Sequence, residues 1–529
     1  MPDYYAILPG EALAKGGANE VGNKAWNLMR LVRENMPVPA AFVLPTTWCR
    51  RSPTEAPGQL KQALIAGIGQ LEAATGLQFG STRRPLLVSV RSGAAVSMPG
   101  MMETVLDVGL NNATVEALIR MTGNPSLAWD SYRRLIQGYS EVVVNLPTSP
   151  FDRLVEEELQ RAGVDTEREL DHRSLRALTR AMLDCYCTLA GAPFPADPYE
   201  QLGAATAAVF RSWDAPKAAS YRHLNGIDDA AGTAVTVQRM VFGNAGSVSG
   251  AGVGFTRNPA TGAREFYFDF KFNAQGEDVV GGRQLLSDNE RLPKVLPAVW
   301  SELNNVCREL ESLFHDVQDF EFTVDSGKLY LLQTRNAKRT DWAAVTIAVD
   351  MVTEGLVTPP EALARLQGIR LDSVTRASLS PPLPTPLAVA QVASLGVACG
   401  VIALDSQAVA RFSAAGARAI LVRRQTLTSD VDGMALAEGV LTGSGGRTSH
   451  AAVIARQLGK VCLVGCSSLE VDVGNRLCRI GGAQLKEGDF LSLDGNTGAV
   501  YPGRLAPLVE HPAAALAAIA SWVSRTAVA

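Results

Sequence analysis

Gly445-Gly446-Arg447-Thr448-Ser449-His450-Ala451-Ala452-Val453-Ile454-Ala455-Arg456 reads as a glycine turn, a hydroxyl cap and a short helix with a histidine in its first turn. Thr448 or Ser449 can take the N-cap and accept from a free backbone N–H, while Ala451, Ala452 and Ala455 are strong helix formers. His450 is thereby placed at the positive end of a helix. That field disfavours imidazolium, keeps a neutral nucleophilic ring at pH 7, and stabilises a phosphoryl dianion once one is attached. A capped surface histidine has the same local pattern, so the residues around it must decide.

Over Gly445–Lys460 the run resembles the phosphohistidine signature of pyruvate, phosphate dikinase and the other phosphoenolpyruvate-utilising enzymes. The resemblance implies that His450 carries a phosphoryl group. Arg447 stands where that family more often has methionine, and Thr448 matches a threonine that is a regulatory phosphorylation site in some members. The helix lies in a β-rich segment, residues 388–505, which opens at Gly396-Val397-Ala398-Cys399-Gly400 and closes on a strand near Val500-Tyr501. By resemblance this is a swivelling phosphohistidine domain. Upstream, residues 341–387 combine a helical stretch, Trp342–Leu366, with Ser378-Leu379-Ser380-Pro381-Pro382-Leu383-Pro384-Thr385-Pro386. Those prolines favour extended polyproline geometry, a swivel arm reaching roughly 28 Å at about 3.1 Å per residue. Residues 506–529 read as a C-terminal tail.

Composition bounds the rest. The 529 residues are 47% hydrophobic and 19% charged, with a net charge of −4, which suits several folded domains and offers no basic field for nucleic acid. Eight scattered cysteines form neither a dense disulfide framework nor a paired C-x-x-C zinc pattern. Ala513–Val523 is too short to span a bilayer, and no charged segment followed by an apolar one opens the chain. A cytoplasmic protein with no membrane partner is expected.

Near the N-terminus, Gly17 to Lys24 almost spells a phosphate-binding P-loop, but Asn23 breaks the Gly-Lys pair and no Ser or Thr follows the lysine. The segment instead resembles the opening of the dikinase nucleotide domain, which implies that Lys24 meets the ATP phosphates. Asn23 and Ala25 stand where that family usually has glycines. Pro85–Arg91 reads as a buried strand running into the small-residue loop Ser92–Gly100. Arg91 at its carboxyl end can grip phosphate oxygens in a bidentate way, and the Gly100 region can bring backbone N–H groups to a phosphate. This run is nearly verbatim dikinase.

Residues 111–235 show apolar residues three and four apart in successive runs and read as a helical subdomain. Within it, Tyr132-Arg133-Arg134 matches a family motif whose arginine handles transferred phosphates, which makes Arg134 a candidate. His172 and His223 sit in polar helical contexts and are expected to be solvated. Beyond, the strand Val235–Phe242 precedes a glycine-rich loop, Gly243–Gly254, in which Gly250 and Gly252 are phosphate-binding candidates by resemblance. Ala251 replaces a threonine of that loop, so a hydroxyl is lost and inorganic phosphate as co-substrate is left open.

The stretch Glu265–Phe272 alternates four phenylalanines with polar residues, so its aromatic face is core. Asp319-Phe320-Glu321-Phe322 and Lys328–Arg335 read as a hairpin. Asp319 and Glu321 share a face and offer paired hard oxygens for Mg²⁺ on nucleotide phosphates, and the family match adds Gln333 and Arg335. A three-residue loop, Asp325-Ser326-Gly327, sets Asp319 opposite Gln333, whereas a two-residue loop pairs Gln333 with Phe320 and puts the amide on the greasy side.

The expected fold is therefore an α+β and α/β multidomain chain. Residues 1–340 form an ATP-grasp-type nucleotide domain with its helical subdomain, joined to the swivelling domain. The implied activity is Mg²⁺-assisted phosphorylation of His450 by ATP, with Arg91 and Arg335 assisting and AMP as product. A (β/α)₈ acceptor barrel needs roughly 250 residues, so the acceptor is expected on a separate polypeptide. Two alternatives stand beside this: a small-molecule phosphotransferase of the same modular family, and a non-catalytic ATP-binding regulatory subunit.

Overall fold

Val88–Gly93 is a strand in which every residue except Arg91 is buried, so it is covered on both faces even though only Val88 and Val90 carry apolar side chains. A computed structural model describes residues 3–526 apart from 12, 51–56, 97, 99–101, 281–287, 427–429 and 446–449, and without the side chains of Pro57, Val280, His450, Val453, Gln457, Arg525 and Thr526. The chain forms two compact units, residues 1–249 with 323–335, and residues 250–322 with 336–529. The division falls inside the stretch 1–340 that the sequence presents as a single nucleotide domain.

In the first unit the strands Tyr5–Ile7, Ala41–Leu44, Ala234–Arg239, Val88–Gly93 and Thr104–Val108 lie side by side in that order, all neighbours antiparallel. Arg91 stands opposite Thr236 on one side and Thr104 on the other. Helices fill residues 112–225, and their ends follow the local chemistry. Asn111, Asn124, Asp171 and Asp197 accept backbone N–H groups at N-termini, and Gly123, Gly163, Gly191 and Gly226 close C-termini in the left-handed conformation. Tyr132, Ile136, Leu178 and Met182 of these helices share one core with Val88, Val90, Val235 and Val237 of the sheet. His172 and His223 are exposed, as anticipated.

The second unit contains the aromatic sheet. Gly250–Phe255 pairs antiparallel with Tyr267–Phe272 and neighbours the strand that begins at Gln318. Phe266 stacks on Phe320 at 5.7 Å and Phe270 on Phe322 at 5.9 Å, so the aromatic face is core. A Cβ on Gly250, Gly252 or Gly254 would run into the rings of Phe270, Phe322 and Phe266 respectively. The glycines expected in a phosphate loop therefore belong to a strand. Alternate residues without side chains let the phenyl layer lie against the backbone.

Residues 388–505 build an eight-stranded sheet around four parallel strands, Val397–Ala403, Ala419–Arg423, Gly439–Thr442 and Val461–Val464. Parallel neighbours need crossovers, and the helices Ser406–Ala414, Val431–Leu436 and His450–Gln457 supply them. These helices cover one face, and a three-stranded sheet from Leu469 to Lys486 packs its Cys478 and Ile480 into the core of the other.

The linker differs from the expected free arm. Arg376–Leu379 pairs antiparallel with Pro507–Glu510, and Ser380 donates to the Ala506 carbonyl at 3.0 Å. Leu379 packs with Ala499 and Tyr501, and Asn496 Nδ2 donates to the Ala377 carbonyl at 2.7 Å. The segment read as a tail continues into helix Ala513–Thr526, whose Ile519 and Trp522 join the core of helices Asp341–Thr353 and Pro359–Arg365. The prolines lack ladder donors, but the residues just before them find partners more than a hundred positions away. All eight cysteines are free, and among the described residues no helix is long and apolar enough to cross a membrane.

Candidate functional site

Lys24 is placed by a break in its own helix. Ala18–Arg33 is helical except at Gly22, whose φ of 75° and ψ of 153° belong to a region open essentially to glycine alone. The break lets the chain dock on the end of the Arg91 strand. Asn23 donates to the Ala94 carbonyl at 2.9 Å, and no side chain fits between Gly22 and the Gly93 carbonyl. A Cβ on Gly93 would sit 3.8 Å from the Lys24 Cβ, so the lysine starts beside the strand that carries Arg91. Upstream, Glu20 is buried. Its carboxylate accepts from the Tyr5 hydroxyl at 2.5 Å and from the Gly16 N–H at 2.9 Å, and burial together with that carboxylate pushes the Tyr5 hydroxyl up to about 12.

The hairpin loop is two residues long, not three. Strand Gln318–Asp325 and strand Lys328–Asn336 are joined by Ser326 and Gly327, both left-handed, at φ 53° and 79°. Outside partners hold this turn: Ser326 and Gly327 donate to Ser249 Oγ and the Val248 carbonyl, each at 2.9 Å, and Asp325 accepts from the Phe242 N–H at 3.1 Å. Strict alternation from such a turn would give Gln333 the orientation of Leu329 and Leu331.

It does not, because the strand changes parity once. Leu329 and Leu331 are buried, but the next buried residue is Thr334. Leu331 sends its N–H out to the Pro37 carbonyl at 2.7 Å, and Thr334 sends its carbonyl out to Asn27 Nδ2 at 2.8 Å, three residues on instead of two or four. Ala337 donates to the Val317 carbonyl at 2.9 Å, one residue off the count from the turn. A single extra residue between Leu331 and Thr334 accounts for all three observations. Gln333 and Arg335 consequently share a face opposite to Leu329, Leu331 and Thr334.

Arg134 lies on helix Pro125–Val142 and is bound through Nε to Asp130 Oδ2 at 2.9 Å. Asp130 also meets the buried Arg133 at 2.7 Å and accepts from Asn244 Nδ2 at 3.3 Å. Burial alone would raise the Asp130 carboxyl; the charges and hydrogen bonds of Arg134 and Arg133 outweigh it and hold the group at about 2. Through Asn244 the loop 243–249 is thus fastened beside Arg134.

In the second unit Asp319 and Glu321 are half-buried and alternate with the buried Phe320 and Phe322, so both carboxylates leave the aromatic face together. Among the described residues no group of three or more His, Cys, Asp or Glu side chains gathers to hold a metal. Two carboxylates fit Mg²⁺, which keeps several waters and completes its shell on phosphate oxygens. Arg257 went unnoticed in the sequence as a structural residue. It is fully buried and holds Glu311 at 2.8 Å and Glu354 at 2.9 Å. Asn27 and Asn244 were also missed, since each acts on a neighbour remote in sequence, and so was Asp130, although its partners Arg133 and Arg134 lie one helical turn away.

The helix printed by the opening signature runs from His450 to Gln457. Ala451, Ala452 and Ala455 are buried against Val440, Cys462 and Val464, so small side chains let it lie close on the parallel strands. It follows strand Gly439–Thr442 and begins at the carboxyl edge of the parallel sheet, where open α/β sheets bind ligands. Gly445 takes a φ of 105° on the way. The His450 side chain, Thr448 and Gly100 lie outside the described residues.

The fold is that of a phosphotransferase family with a nucleotide-binding part and a mobile part. Residues 52–294 and 283–356 match the family described as pyruvate phosphate dikinase, AMP/ATP-binding domain, and residues 416–498 match PEP-utilising enzyme, mobile domain. The chain belongs to the pyruvate, phosphate dikinase family. It is 42% identical over 492 residues to the pyruvate, phosphate dikinase of Clostridium symbiosum, covering 92% of this chain and 56% of that one. It is 40% identical over 532 residues to the enzyme of Rhizobium meliloti, covering 97% and 59%. Against pyruvate, phosphate dikinase 1, chloroplastic, of Zea mays the figures are 41% over 490 residues, covering 92% and 52%. The chain thus spans about half the length of the curated relatives it matches.

Proposed function

We propose that this chain performs the ATP half of a dikinase reaction, in which His450 attacks the β-phosphorus of ATP, AMP leaves as the α–β bond breaks, and the pyrophosphoryl group then on His450 gives up its γ-phosphoryl group to inorganic phosphate or water, leaving one phosphoryl group on the histidine. The observation that carries the reading is the His450 helix, packed through three alanines onto a parallel sheet and starting at that sheet's carboxyl edge. Its first-turn N–H groups suit a phosphoryl dianion. Lys24, Arg91 and Arg335 neutralise phosphate charge, with Gln333 as a neutral donor beside Arg335. Arg134, already committed through Nε to Asp130, orders the loop 243–249 as well as meeting phosphate. Gly100 takes part through its backbone. Asp319 and Glu321 hold Mg²⁺, which supplies charge stabilisation on the nucleotide phosphates.

Residues 1–340 serve as an ATP-grasp-type nucleotide domain and residues 388–505 as the swivelling carrier. The phosphoryl group on His450 passes on to an acceptor, and the site of action is the cytoplasm. Thr448 is the regulatory phosphorylation site. Inorganic phosphate is a weak co-substrate, because Ala251 carries no hydroxyl at a fully buried position.

Incubation with β- and γ-labelled ATP and Mg²⁺ tests the reading. AMP as product requires the bond between the α- and β-phosphates to break, so β-label should appear on protein in an acid-labile form. Stoichiometric ADP with γ-label on the protein would indicate an ordinary kinase, and tight ATP binding without any label a regulatory subunit.

A further inference from the structure

We propose that Asn27 is a positioning residue of the phosphoryl-transfer site, strapping the strand that carries Gln333 and Arg335 to the helix that carries Lys24. This rests on the reading above, which gives those three residues their roles. Asn27 is 6% exposed and lies three positions after Lys24, so the two side chains leave neighbouring points on one helical face. A buried amide requires partners, and Asn27 Nδ2 donates to the Thr334 carbonyl at 2.8 Å. Thr334 is the residue between Gln333 and Arg335. The same strand is fastened a second time where Leu331 donates to the Pro37 carbonyl, just beyond the end of the same helix.

These two bonds bracket the parity change. An extra residue in a strand leaves main-chain groups without ladder partners, and the segment keeps its altered direction only if something else satisfies them. Pro37 holds the segment before the irregularity and Asn27 the segment after it. Without the Asn27 amide, the Thr334 carbonyl can turn back toward the sheet. Gln333 and Arg335 then rotate away from the face they share, while Lys24 stays where the Gly22 break puts it. Asn27 touches no reacting atom in this account. Its effect is to fix one set of phosphate-binding groups against another.

The test uses the full chain with Asn27→Asp, which keeps size and removes the donor, and Asn27→Ser, a smaller change that remains informative if the aspartate variant fails to fold. The rate of acid-labile labelling from β-labelled ATP is measured in a single turnover at saturating nucleotide, beside the ATP dissociation constant. A misplacement of about 1 Å costs on the order of 100-fold in rate, so labelling should slow about 10- to 100-fold. ATP affinity should stay within about threefold, the split expected for a group that acts in the transition state. Amide hydrogen exchange over residues 331–336 is followed in parallel and should quicken in the variants. A wild-type labelling rate in a folded variant, or unchanged exchange over 331–336, overturns the proposal. If the wild-type chain takes no label, the functional reading fails by itself, and exchange decides whether Asn27 holds the strand.

Discussion

Replacing Gly22 with alanine should damage both stability and phosphorylation, for reasons that can be put in numbers. The residue occupies φ 75° and ψ 153°, and holding a non-glycine residue there costs about 1–3 kcal/mol. The new Cβ would also stand 2.5 Å from the Gly93 carbonyl carbon, short of the 3.4 Å where ordinary contact begins. The Gly93 carbonyl oxygen lies nearer still, so the helix start must retreat from the strand end by more than about 0.9 Å, losing the bond from Asn23 to Ala94 as it goes, at about 1 kcal/mol. Strain and lost bond together predict destabilisation of about 2–4 kcal/mol. Because Lys24 follows two residues later, the same retreat should lower the labelling rate on the order of 100-fold. Gly69→Ala is the control: this glycine is exposed within helix Pro57–Thr75, nothing lies within 4 Å of its Cβ position, and the change should stabilise by up to about 1 kcal/mol. Denaturant unfolding and single-turnover labelling read both effects. A Gly22→Ala variant that unfolds and labels like the parent would refute the close approach as the device that places Lys24.

Other outcomes follow from other parts of the molecule. His450→Ala should abolish acid-labile labelling while ATP binding by equilibrium titration stays nearly unchanged; equal loss of both in folded protein would contradict separate carrier and nucleotide parts. Asp130 has a carboxyl held at about 2 against a usual 3.8, a contribution of about 2 kcal/mol. A depressed pKa makes that contribution full above about pH 4 and lost as pH falls toward 2. Asp130→Asn should therefore destabilise near neutrality, with the gap from wild type closing over that acid window in urea unfolding. Trp522→Ala empties a buried site against helix Asp341–Thr353 and should cost about 3 kcal/mol, seen as faster proteolysis of the C-terminal helix.

Much of the fold was legible wherever the information is local. Helix ends in residues 112–225 follow capping residues and glycines, and the aromatic face of Phe266 to Phe272 follows the two-residue period. What escaped were features decided by distant partners. The turn at Ser326-Gly327 is a two-residue loop because Ser249, Val248 and Phe242 hold it. The later parity change depends on Pro37 and Asn27, some 300 residues upstream. Without them, counting from the turn gives the wrong face for Gln333. Gly250 and Gly252 looked like a phosphate loop, since a glycine making room for a phenyl ring and one making room for an anion leave the same letter in the chain. The Pro-rich stretch showed its prolines but not the strand 507–510 that pairs beside it.

That pairing turns the connection to the eight-stranded sheet into a leash with two unequal cords. From Leu379 to Ala388 the outgoing cord has nine Cα steps, about 31 Å when taut; from Pro502 to Pro507 the returning cord has five, about 17 Å. Both are tied at the same knot, the ladder of residues 376–379 with 507–510, so the shorter one sets the range. While the ladder holds, the carrier can stray from it by no more than about 17 Å, however long the proline cord is made. Any larger excursion has to swing the knot itself or untie it.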